Sequence, residues 1–207
     1  MSAIIHPGAA LLAVFARCLS GARVRWLWRP EELRPRVYFA NHSSHLDALV
    51  LWGALPAAIR STTLPVAAQD YWQQSGVRSF LATRVFRSVL VPRQTSGIFE
   101  ARTTLRPMLR ELDRGCSLIL FPEGTRGNGR EVGEFKPGLY QLCRERSGLE
   151  AVPVYLGNLC RVLPKGELLP IPASSSVTFG HPLRLQSGEA KREFLSRARE
   201  ALRELRP

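Results

Sequence analysis

The sequence has no hydrophobic run long enough to cross a membrane. Residues 8–16 form an apolar run of nine residues, whereas a spanning helix needs about 20. No positive charge precedes this run, so it does not fit a secretory signal peptide. The next stretch, 17–29, carries four arginines and two tryptophans. We therefore predict an N-terminal amphipathic helical segment, residues 1–34, which either lies in a membrane interface or packs on the domain as an ordinary amphipathic helix.

Cysteines are few, and common metal and nucleotide motifs are missing. The four cysteines, at positions 18, 116, 143 and 160, form no C-x-x-C pair, so a zinc or redox motif is not indicated. A chain of 207 residues needs no disulfide framework, and reduced thiols in the cytosol are the default. The sequence also lacks the Walker and G-x-G-x-x-G patterns, so nucleotide binding is not indicated.

Acidic residues are outnumbered by basic ones. The chain has 17 Asp and Glu against 29 Lys and Arg, which gives a net charge of +12. Such a charge favours an anionic membrane, nucleic acid or a phosphorylated substrate as the partner. The sequence has no helix-turn-helix, zinc or aromatic RNA-binding signature, so nucleic acid is not expected.

Strands alternate with helices along the rest of the chain. Apolar patterns predict strands at 36–40, 64–68, 88–91, 117–121, 151–155 and 176–179, and helices at 48–59, 97–114, 139–147 and 189–205. This order predicts one α/β domain, residues 35–207, in which helices flank a mostly parallel mixed sheet as a sandwich. Pro107 is expected to kink or split its helix, Pro153 to mark an edge strand or a bulge, and Ser187 to cap the last helix.

Residues 40–47, Ala-Asn-His-Ser-Ser-His-Leu-Asp, are the candidate catalytic stretch. They follow a predicted strand, at the edge of the sheet where ligands bind in open α/β folds. His42 would serve as a general base, because a free imidazole titrates near working pH and Asp47 can hold it. Two other interpretations stay open. Ser44 and Asp47 match a helix capping box. His42, His45 and Asp47 are also all residue types that bind metals, so a metal site is the second alternative.

A second polar stretch, residues 121–126, follows another predicted strand. Glu123, Thr125 and Arg126 place a carboxylate, a hydroxyl and a guanidinium in one loop, and the forked guanidinium suits a phosphate. By itself the loop is also explained as a glycine-rich turn with solvated charges. Both polar stretches follow strands, so both can open on one edge of the sheet.

Four segments, taken in order, resemble the motif blocks of the glycerolipid acyltransferase family, whose best-known members are the 1-acylglycerol-3-phosphate acyltransferases. Asn41–Asp47 matches N-H-x-x-x-x-D, and Phe121–Arg126 matches F-P-E-G-x-R. Between them, Val89–Arg93 resembles a block that ends in arginine, and Val152–Val154 resembles the last block, V-P-V. Residues 135–138 also look like the family's segment after the third block. The first and third motifs together are specific, and the resemblance covers residues 35–185.

The resemblance implies a glycerol-phosphate-acyltransferase-like fold and an acyl transfer reaction. The acceptor's own hydroxyl would attack the thioester of acyl-CoA or acyl carrier protein, with His42 as the base and Asp47 orienting it. No metal is expected, and no cofactor beyond the acyl thioester co-substrate. The resemblance further implies substrate contacts from Asn41, Arg93, Glu123, Gly124, Thr125, Arg126 and Lys136.

The expected reaction moves a fatty acyl group to a lysophospholipid, 1-acylglycerol-3-phosphate, and yields phosphatidic acid. One alternative keeps the family chemistry with another acceptor, glycerol-3-phosphate or a lyso-ornithine lipid. A more remote alternative is a thioester hydrolase in which His42 and Asp47 activate water. The expected location is the cytoplasm, with peripheral association to the inner membrane.

Overall fold

The computed structural model describes residues 11, 14–15, 21–30, 32–69, 87–92, 98–129, 131–162 and 174–207. The strands that these residues form are β1 (Arg23–Trp26), β2 (Arg36–Ala40), β3 (Thr63–Ala68), β4 (Val89–Val91), β5 (Ser117–Leu120), β6 (Glu150–Gly157) and β7 (Ser176–Phe179). Among the helices are α1 (Asp47–Ala54), α2 (Ala57–Arg60), α3 (Ile98–Asp113), α4 (Gly138–Glu145), α5 (Leu159–Val162) and α6 (Lys191–Arg203).

The seven strands form one sheet in the order β1-β7-β6-β2-β5-β3-β4. The strands from β6 to β4 are mutually parallel, β7 is antiparallel to β6, and β1 is parallel to β7. The sheet is therefore mixed and mostly parallel, which confirms the predicted fold class. Since β2 and β5 are parallel neighbours, the loops after them open at the same edge, and these loops carry the two predicted polar stretches.

Strand β2 lies at the centre of the core. Residues 37–40 have no exposed surface. Tyr38 and Ala40 pack in a cluster with α1, whereas Val37 and Phe39 pack on the other face with α3, α4 and α6. Because side chains alternate across a strand, burial of both faces requires the continuous apolar run that this segment has. The polar residues after Ala40 thus begin from a rigid, fully packed strand.

The structure corrects the N-terminal prediction. Residues 23–26, placed by the sequence in a helical segment, form β1 and pair with β7. The two arginines of β1 are exposed, and Val24 and Trp26 are partly buried, which is the period-two alternation of a strand. Trp26 stacks on Phe179 with ring centroids 3.7 Å apart. Of the residues before β1, the structure describes 11, 14, 15, 21 and 22, and the first three of these are helical.

For each of two prolines, the structure excludes one of the two predicted alternatives. Helix α3 is not split, since it runs from Ile98 to Asp113 through Pro107. Pro153 does not mark an edge strand, because β6 lies between β7 and β2. The ladder between β6 and β7 begins only at Val154, and Gly180 N–H donates to the Pro153 carbonyl at 2.9 Å, past the end of β7. The chain after β7 pairs with β6 again at Ala151, through a bridge to Leu183 that is one residue out of register with the β6–β7 ladder. The pairing is thus interrupted beside Pro153 in the manner of a β-bulge, the other predicted alternative.

The start of the last helix also differs from the prediction. Helix α6 begins at Lys191, with Ala190 at its N-cap, and not directly after Ser187. The Glu193 carboxylate accepts the backbone N–H of Ala190 at 3.0 Å. One half of a capping box is thus present without a capping hydroxyl, so the glutamate fixes where this helix begins.

A buried carboxylate lies among three arginines at the start of β6. Glu150 is 3% exposed, and its oxygens lie 2.8 Å from Arg36 Nε, 2.7 Å from Arg184 Nη2 and 3.0 Å from Arg34 Nη2. Burial by itself would raise the pKa of Glu150, but hydrogen bonds from Arg184 and Arg36 outweigh burial, so that the pKa is lowered. Arg36 is itself buried, so this pair joins β2 to β6 inside the domain.

We expect Glu150→Gln to lower the free energy of unfolding by about 3 kcal/mol at pH 7, because the charge of buried Arg36 loses its carboxylate partner. A carboxyl whose pKa is lowered by folding stabilises the fold above its unfolded pKa, about 4.3, and this contribution is lost as the pH falls through the folded value. In urea unfolding, the free energy of unfolding of the wild type should therefore exceed that of Glu150→Gln at pH 7, and this difference should shrink below about pH 4. Glu145→Gln, at a half-exposed carboxylate, is the control. A difference in free energy of unfolding between wild type and Glu150→Gln that is equally large at pH 7 and pH 3 would contradict this prediction.

Candidate active site

His42 and Asp47 form a hydrogen-bonded pair where β2 ends. His42 Nδ1 lies 2.8 Å from Asp47 Oδ2. The His42 side chain is 25% exposed, and that of Asp47 is fully buried. The imidazole stacks on Phe121, the residue after β5, with ring centroids 4.3 Å apart. Because Nδ1–H donates to the carboxylate, the neutral ring carries its lone pair on Nε2, where it can accept a proton.

Asp47 binds the backbone with the same oxygen. Oδ2 also accepts the N–H groups of Ser43, at 2.6 Å, and of Ser44, at 2.8 Å. The bond from Ser44 is the carboxylate half of the predicted capping box. Helix α1 begins at Asp47 with Leu46 as its N-cap, so the negative charge lies at the helix end that favours it. Ser44 is therefore not the predicted N-cap, whereas Asp47 binds both the backbone of this turn and the imidazole of the candidate base.

Glu123 ties the loop after β5 to the histidine. It is buried, its Oε1 accepts the His42 N–H at 2.9 Å, and its Oε2 accepts the Gly133 N–H at 3.0 Å. A second cross-link runs from Gly127 N–H to the His42 carbonyl at 2.8 Å. A Cβ at Gly133 would lie 2.7 Å from Glu123 Oε2, so this close approach requires glycine. Glu123 was predicted as a substrate contact, and in the structure both its oxygens bind backbone.

Asn41, another predicted substrate contact, joins β2 to β6. Its buried side-chain amide donates to the Leu156 carbonyl at 2.9 Å and accepts the Leu156 N–H at 2.8 Å. This reciprocal pair extends the parallel ladder by one step beyond Ala40. Asn41 therefore fixes the direction in which the chain leaves the strand, one residue before His42.

A cavity of about 410 Å³ lies beside His42. Side chains from β3, β4, α3 and α4 form its walls together with the loop after β5. Its apolar lining residues include Val66, Val91, Met108, Leu120 and Leu139. The charged residues that line it in the described part of the chain are both cationic, Arg126 and Lys136. The cavity thus combines a hydrocarbon-like interior with a base and two positive charges.

The loop after β5 arranges these cations. Gly124 has a φ of +70°, a conformation that favours glycine. The Lys136 side chain crosses over it, since a Cβ at Gly124 would lie 2.7 Å from Lys136 Cε and 2.9 Å from its Nζ. Arg126 contacts His45, with Nη1 against Nε2 of the imidazole. His45 lies in the turn before α1, so this contact joins the two polar stretches at the cavity.

A second cavity, of about 370 Å³, lies on another side of the Asn41–Ser43 segment and is bounded by α6. Its charges are mixed, because Arg199, Glu200 and Arg203 of α6 line it together with glutamates outside this helix. Arg203 Nη1 lies 3.4 Å from Glu200 Oε2, and Arg199 donates to the Val132 carbonyl at 2.6 Å. This balance of charge distinguishes it from the cavity that holds Arg126 and Lys136.

The structure brings most of the predicted site residues together. Those that lie around the His42–Asp47 pair are Asn41, Glu123, Gly124, Arg126 and Lys136. Thr125 is exposed on the same loop, and Arg93 lies outside the described residues. The stacking of Phe121 on His42 was not predicted from the sequence, and His45 was predicted only as a possible metal ligand. Among the described residues, no group of three or more His, Cys, Asp or Glu side chains is placed to hold a metal ion.

Comparisons with known proteins identify a family that this chain resembles. A family model described as Acyltransferase matches residues 28–157. A Dictyostelium discoideum protein named Taffazin is 31% identical over 67% of this chain and 50% of its own length. A chloroplast 1-acyl-sn-glycerol-3-phosphate acyltransferase of Arabidopsis thaliana is 27% identical over 66% of this chain and 36% of its own length. The chain thus spans half or less of the length of these two curated relatives.

A solved structure has the same fold. The crystal structure of the 1-acyl-sn-glycerophosphate (LPA) acyltransferase, PlsC, from Thermotoga maritima matches with a TM-score of 0.73 at 21% identity, over 96% of this chain and 77% of that chain. At this identity the likeness shows the fold alone. The family model, in contrast, covers more than half of the chain and includes the His42–Asp47 stretch, the loop after β5 and β6. The chain therefore belongs to the acyltransferase family.

Proposed function

We propose that the protein is an O-acyltransferase that moves a fatty acyl group from acyl-CoA or acyl carrier protein to 1-acylglycerol-3-phosphate, giving phosphatidic acid. One observation carries this proposal: the His42–Asp47 pair lies beside an apolar cavity, and the charged residues that line it in the described ranges, Arg126 and Lys136, are cationic. A base, a space for hydrocarbon and cations for a phosphate are the parts that this reaction needs. The names of relatives from Arabidopsis thaliana and Mycoplasma genitalium support this acceptor.

In the proposed reaction, His42 Nε2 takes the proton of the acceptor hydroxyl as the hydroxyl oxygen bonds to the thioester carbonyl carbon. Asp47 holds the ring and stabilises the imidazolium that forms. The tetrahedral intermediate then collapses, the C–S bond breaks, and the leaving thiolate takes the proton from His42. The acyl group passes directly to the acceptor, so no serine of the stretch is required as a nucleophile.

The acceptor phosphate is proposed to bind Arg126 and Lys136. The guanidinium fork of Arg126 can donate two parallel hydrogen bonds to phosphate oxygens, and Lys136 adds a point charge. Arg93 and Thr125 are kept as further proposed contacts. Asn41, Glu123 and Gly124 are proposed to act by shaping the backbone around the site, because their contacts in the structure are with backbone or with the Lys136 side chain.

The apolar cavity is proposed to hold a fatty acyl chain. Its lining residues from β3, β4, α3 and α4 offer hydrocarbon surface, and burying such a chain is favourable in proportion to the apolar area removed from water. A chain that fills the cavity also excludes water from His42. This exclusion favours transfer to the acceptor over hydrolysis of the thioester.

We further propose that the protein works at the inner membrane, from the cytoplasmic side. The chain carries a net charge of +12, and Arg23 and Arg25 are exposed on β1, close to Leu27, which is 38% exposed. Each basic residue near an anionic bilayer surface contributes about 1 kcal/mol of attraction. In the part of the chain that the structure describes, no helix has the length and apolar character to cross a membrane.

The test is acyl transfer from radiolabelled acyl-CoA, and in parallel from acyl carrier protein, to a panel of acceptors. The panel contains 1-acylglycerol-3-phosphate in anionic vesicles, glycerol-3-phosphate, a lyso-ornithine lipid and buffer alone. We expect phosphatidic acid as the main product and sedimentation of the protein with the vesicles at low salt. Transfer to another acceptor would replace the proposed substrate. Free fatty acid formed without an acceptor would indicate a hydrolase, and no turnover with either donor would contradict the proposal.

A further inference from the structure

His45 and Arg126 meet at the edge of the apolar cavity, although they belong to different loops. His45 lies three residues after His42, and its side chain is exposed. Its Nε2 is in hydrogen-bond contact with Arg126 Nη1. Both side chains line the cavity together with His42 and Lys136. The contact therefore lies where the proposed acceptor must pass from the cations to the base.

The chemistry of the contact defines the role of each partner. A guanidinium carries five N–H donors and no acceptor, so His45 Nε2 must be the acceptor. The imidazole in this contact is therefore neutral, with its proton on Nδ1. Only one N–H of Arg126 is used by His45, and the others can still reach a phosphate. A long arginine side chain loses conformational freedom when it binds a ligand, and a contact that holds it beforehand reduces that loss.

The two loops are held in register independently of this contact. Gly127 N–H donates to the His42 carbonyl at 2.8 Å, and Glu123 accepts the His42 N–H at 2.9 Å. Both cross-links are within three residues of His45 or Arg126 along the chain. The backbone positions of these two residues are therefore fixed by bonds that their own side chains do not make, and substitution of His45 leaves those bonds in place.

We propose that His45 is a positioning residue for acceptor recognition. It holds the Arg126 guanidinium at the edge of the cavity, in the orientation that receives a phosphate monoester, and it thereby sets the preference for phosphorylated over uncharged acceptors. This inference rests on the proposed function, since it assumes an acceptor that carries a phosphate. His45 is not the base, because the hydrogen bond to Asp47 belongs to His42.

The test compares two substitutions that differ in one property. His45→Phe keeps a planar ring and removes the acceptor, whereas His45→Gln places an amide oxygen close to the position of Nε2. His181→Phe is the matched control, because His181 is exposed and follows β7, whose C-terminal end lies at the opposite edge of the sheet. The ligands are a short-chain 1-acylglycerol-3-phosphate, kept monomeric, and the monoacylglycerol that lacks its phosphate. Calorimetry gives Kd, and the transfer assay gives KM and kcat.

We expect His45→Phe to raise Kd and KM for the phosphorylated ligand about tenfold, which corresponds to about 1.4 kcal/mol. Binding of the monoacylglycerol and kcat should change less than about threefold, because a planar ring still lines the cavity at this position and the base is unchanged. His45→Gln should restore Kd to within about threefold of wild type, since an acceptor is present again. In an Arg126→Ala background, His45→Phe should add less than about twofold, because the partner is already absent.

Three results would overturn the inference. One is an unchanged Kd in His45→Phe. Another is an equal loss for both ligands, which would indicate a change in cavity shape. The third is an equally large effect of His45→Phe without Arg126, which would show that the two residues act separately. If wild type binds the phosphorylated ligand but transfers no acyl group, the proposed function fails. The Kd values of His45→Phe, with and without Arg126→Ala, then still decide the inference. If wild type does not bind this ligand, both fail.

Discussion

His42→Ala is expected to lower kcat/KM for acyl transfer by about 10³-fold, which is the middle of the range for loss of a general base. The alanine removes the group that takes the hydroxyl proton, and a neutral alcohol is a poor nucleophile toward a thioester. The loop should keep its shape, because Glu123 and Gly127 bind the backbone N–H and carbonyl of residue 42 and not its ring. Initial rates with the acceptor identified in the panel measure the effect.

Two controls separate chemistry from folding in this experiment. Urea unfolding should place His42→Ala close to wild type, and His181→Ala, at the opposite edge of the sheet, should keep full activity. Added imidazole should restore part of the rate, because the substitution opens a ring-sized space between Phe121 and Asp47. Activity that stays within tenfold of wild type in a folded variant would show that His42 is not the base.

Around His42, the negative charges are buried and the positive charges face the cavity. The two carboxylates that contact the histidine, Asp47 and Glu123, are buried behind it and bind its ring or its backbone. The cations Arg126 and Lys136 lie on the cavity side. In the proposed reaction, a phosphorylated acceptor would meet positive charge first, and the buried negative charge would stabilise the imidazolium that forms. Recognition and proton transfer are thereby assigned to different residues.

The parts of the site that are local in sequence were predictable from sequence. The stretch from Asn41 to Asp47 is a single strand–turn–helix unit, so its spacing alone places the imidazole next to the carboxylate. The bond from Glu123 to His42 and the contact from Arg126 to His45 each join residues 81 positions apart. Such contacts depend on β2 and β5 being neighbours in the sheet, and strand order does not follow from hydrophobic periodicity.

The errors in the fold have the same origin. Pro153 indicated an edge strand or a bulge because proline lacks a donor, and the edge strand is wrong because β6 has a neighbour on each side. Only the interrupted pairing with β7 and the chain after it shows that the other alternative applies. Residues 23–26 were assigned to a helical segment because they lie among other arginines and tryptophans. Only pairing with β7 shows that their alternation belongs to a strand. In both cases the tertiary partner, and not the local residues, decided the structure.

Asp47→Asn is expected to lower kcat by about 10²- to 10³-fold with little change in KM. Three N–H groups, from His42, Ser43 and Ser44, all donate to Oδ2. An asparagine must place its carbonyl oxygen there, because its NH₂ group would oppose two backbone donors. The ring orientation and the tautomer of His42 are then kept, and what is lost is the negative charge that stabilises the imidazolium. The same transfer assay, over a range of acceptor concentrations, separates kcat from KM.

The substitution also has a cost in stability that does not explain the kinetic effect. The amide NH₂ would take the place of Oδ1, which is buried and makes no hydrogen bond to any residue that the structure describes. An unsatisfied buried donor costs about 1–3 kcal/mol, which urea unfolding can measure. Asp113→Asn, at an exposed carboxylate paired with Arg146, is the control. A parallel rise in KM would instead mean that the loop has moved.

The double variant His42→Ala, Asp47→Asn decides whether Asp47 acts only through the histidine. If it does, the double variant should be no slower than His42→Ala alone, since a carboxylate cannot stabilise an imidazolium that no longer forms. If Asp47 contributes independently, for example through the field it exerts on the thioester, the two losses should multiply. The hydrogen bond of 2.8 Å between the ring and the carboxylate, together with the complete burial of Asp47 behind that ring, favours the first result. If the losses in kcat of the two single variants multiply in the double variant, Asp47 does not act only by orienting His42, and it must contribute directly to the reaction.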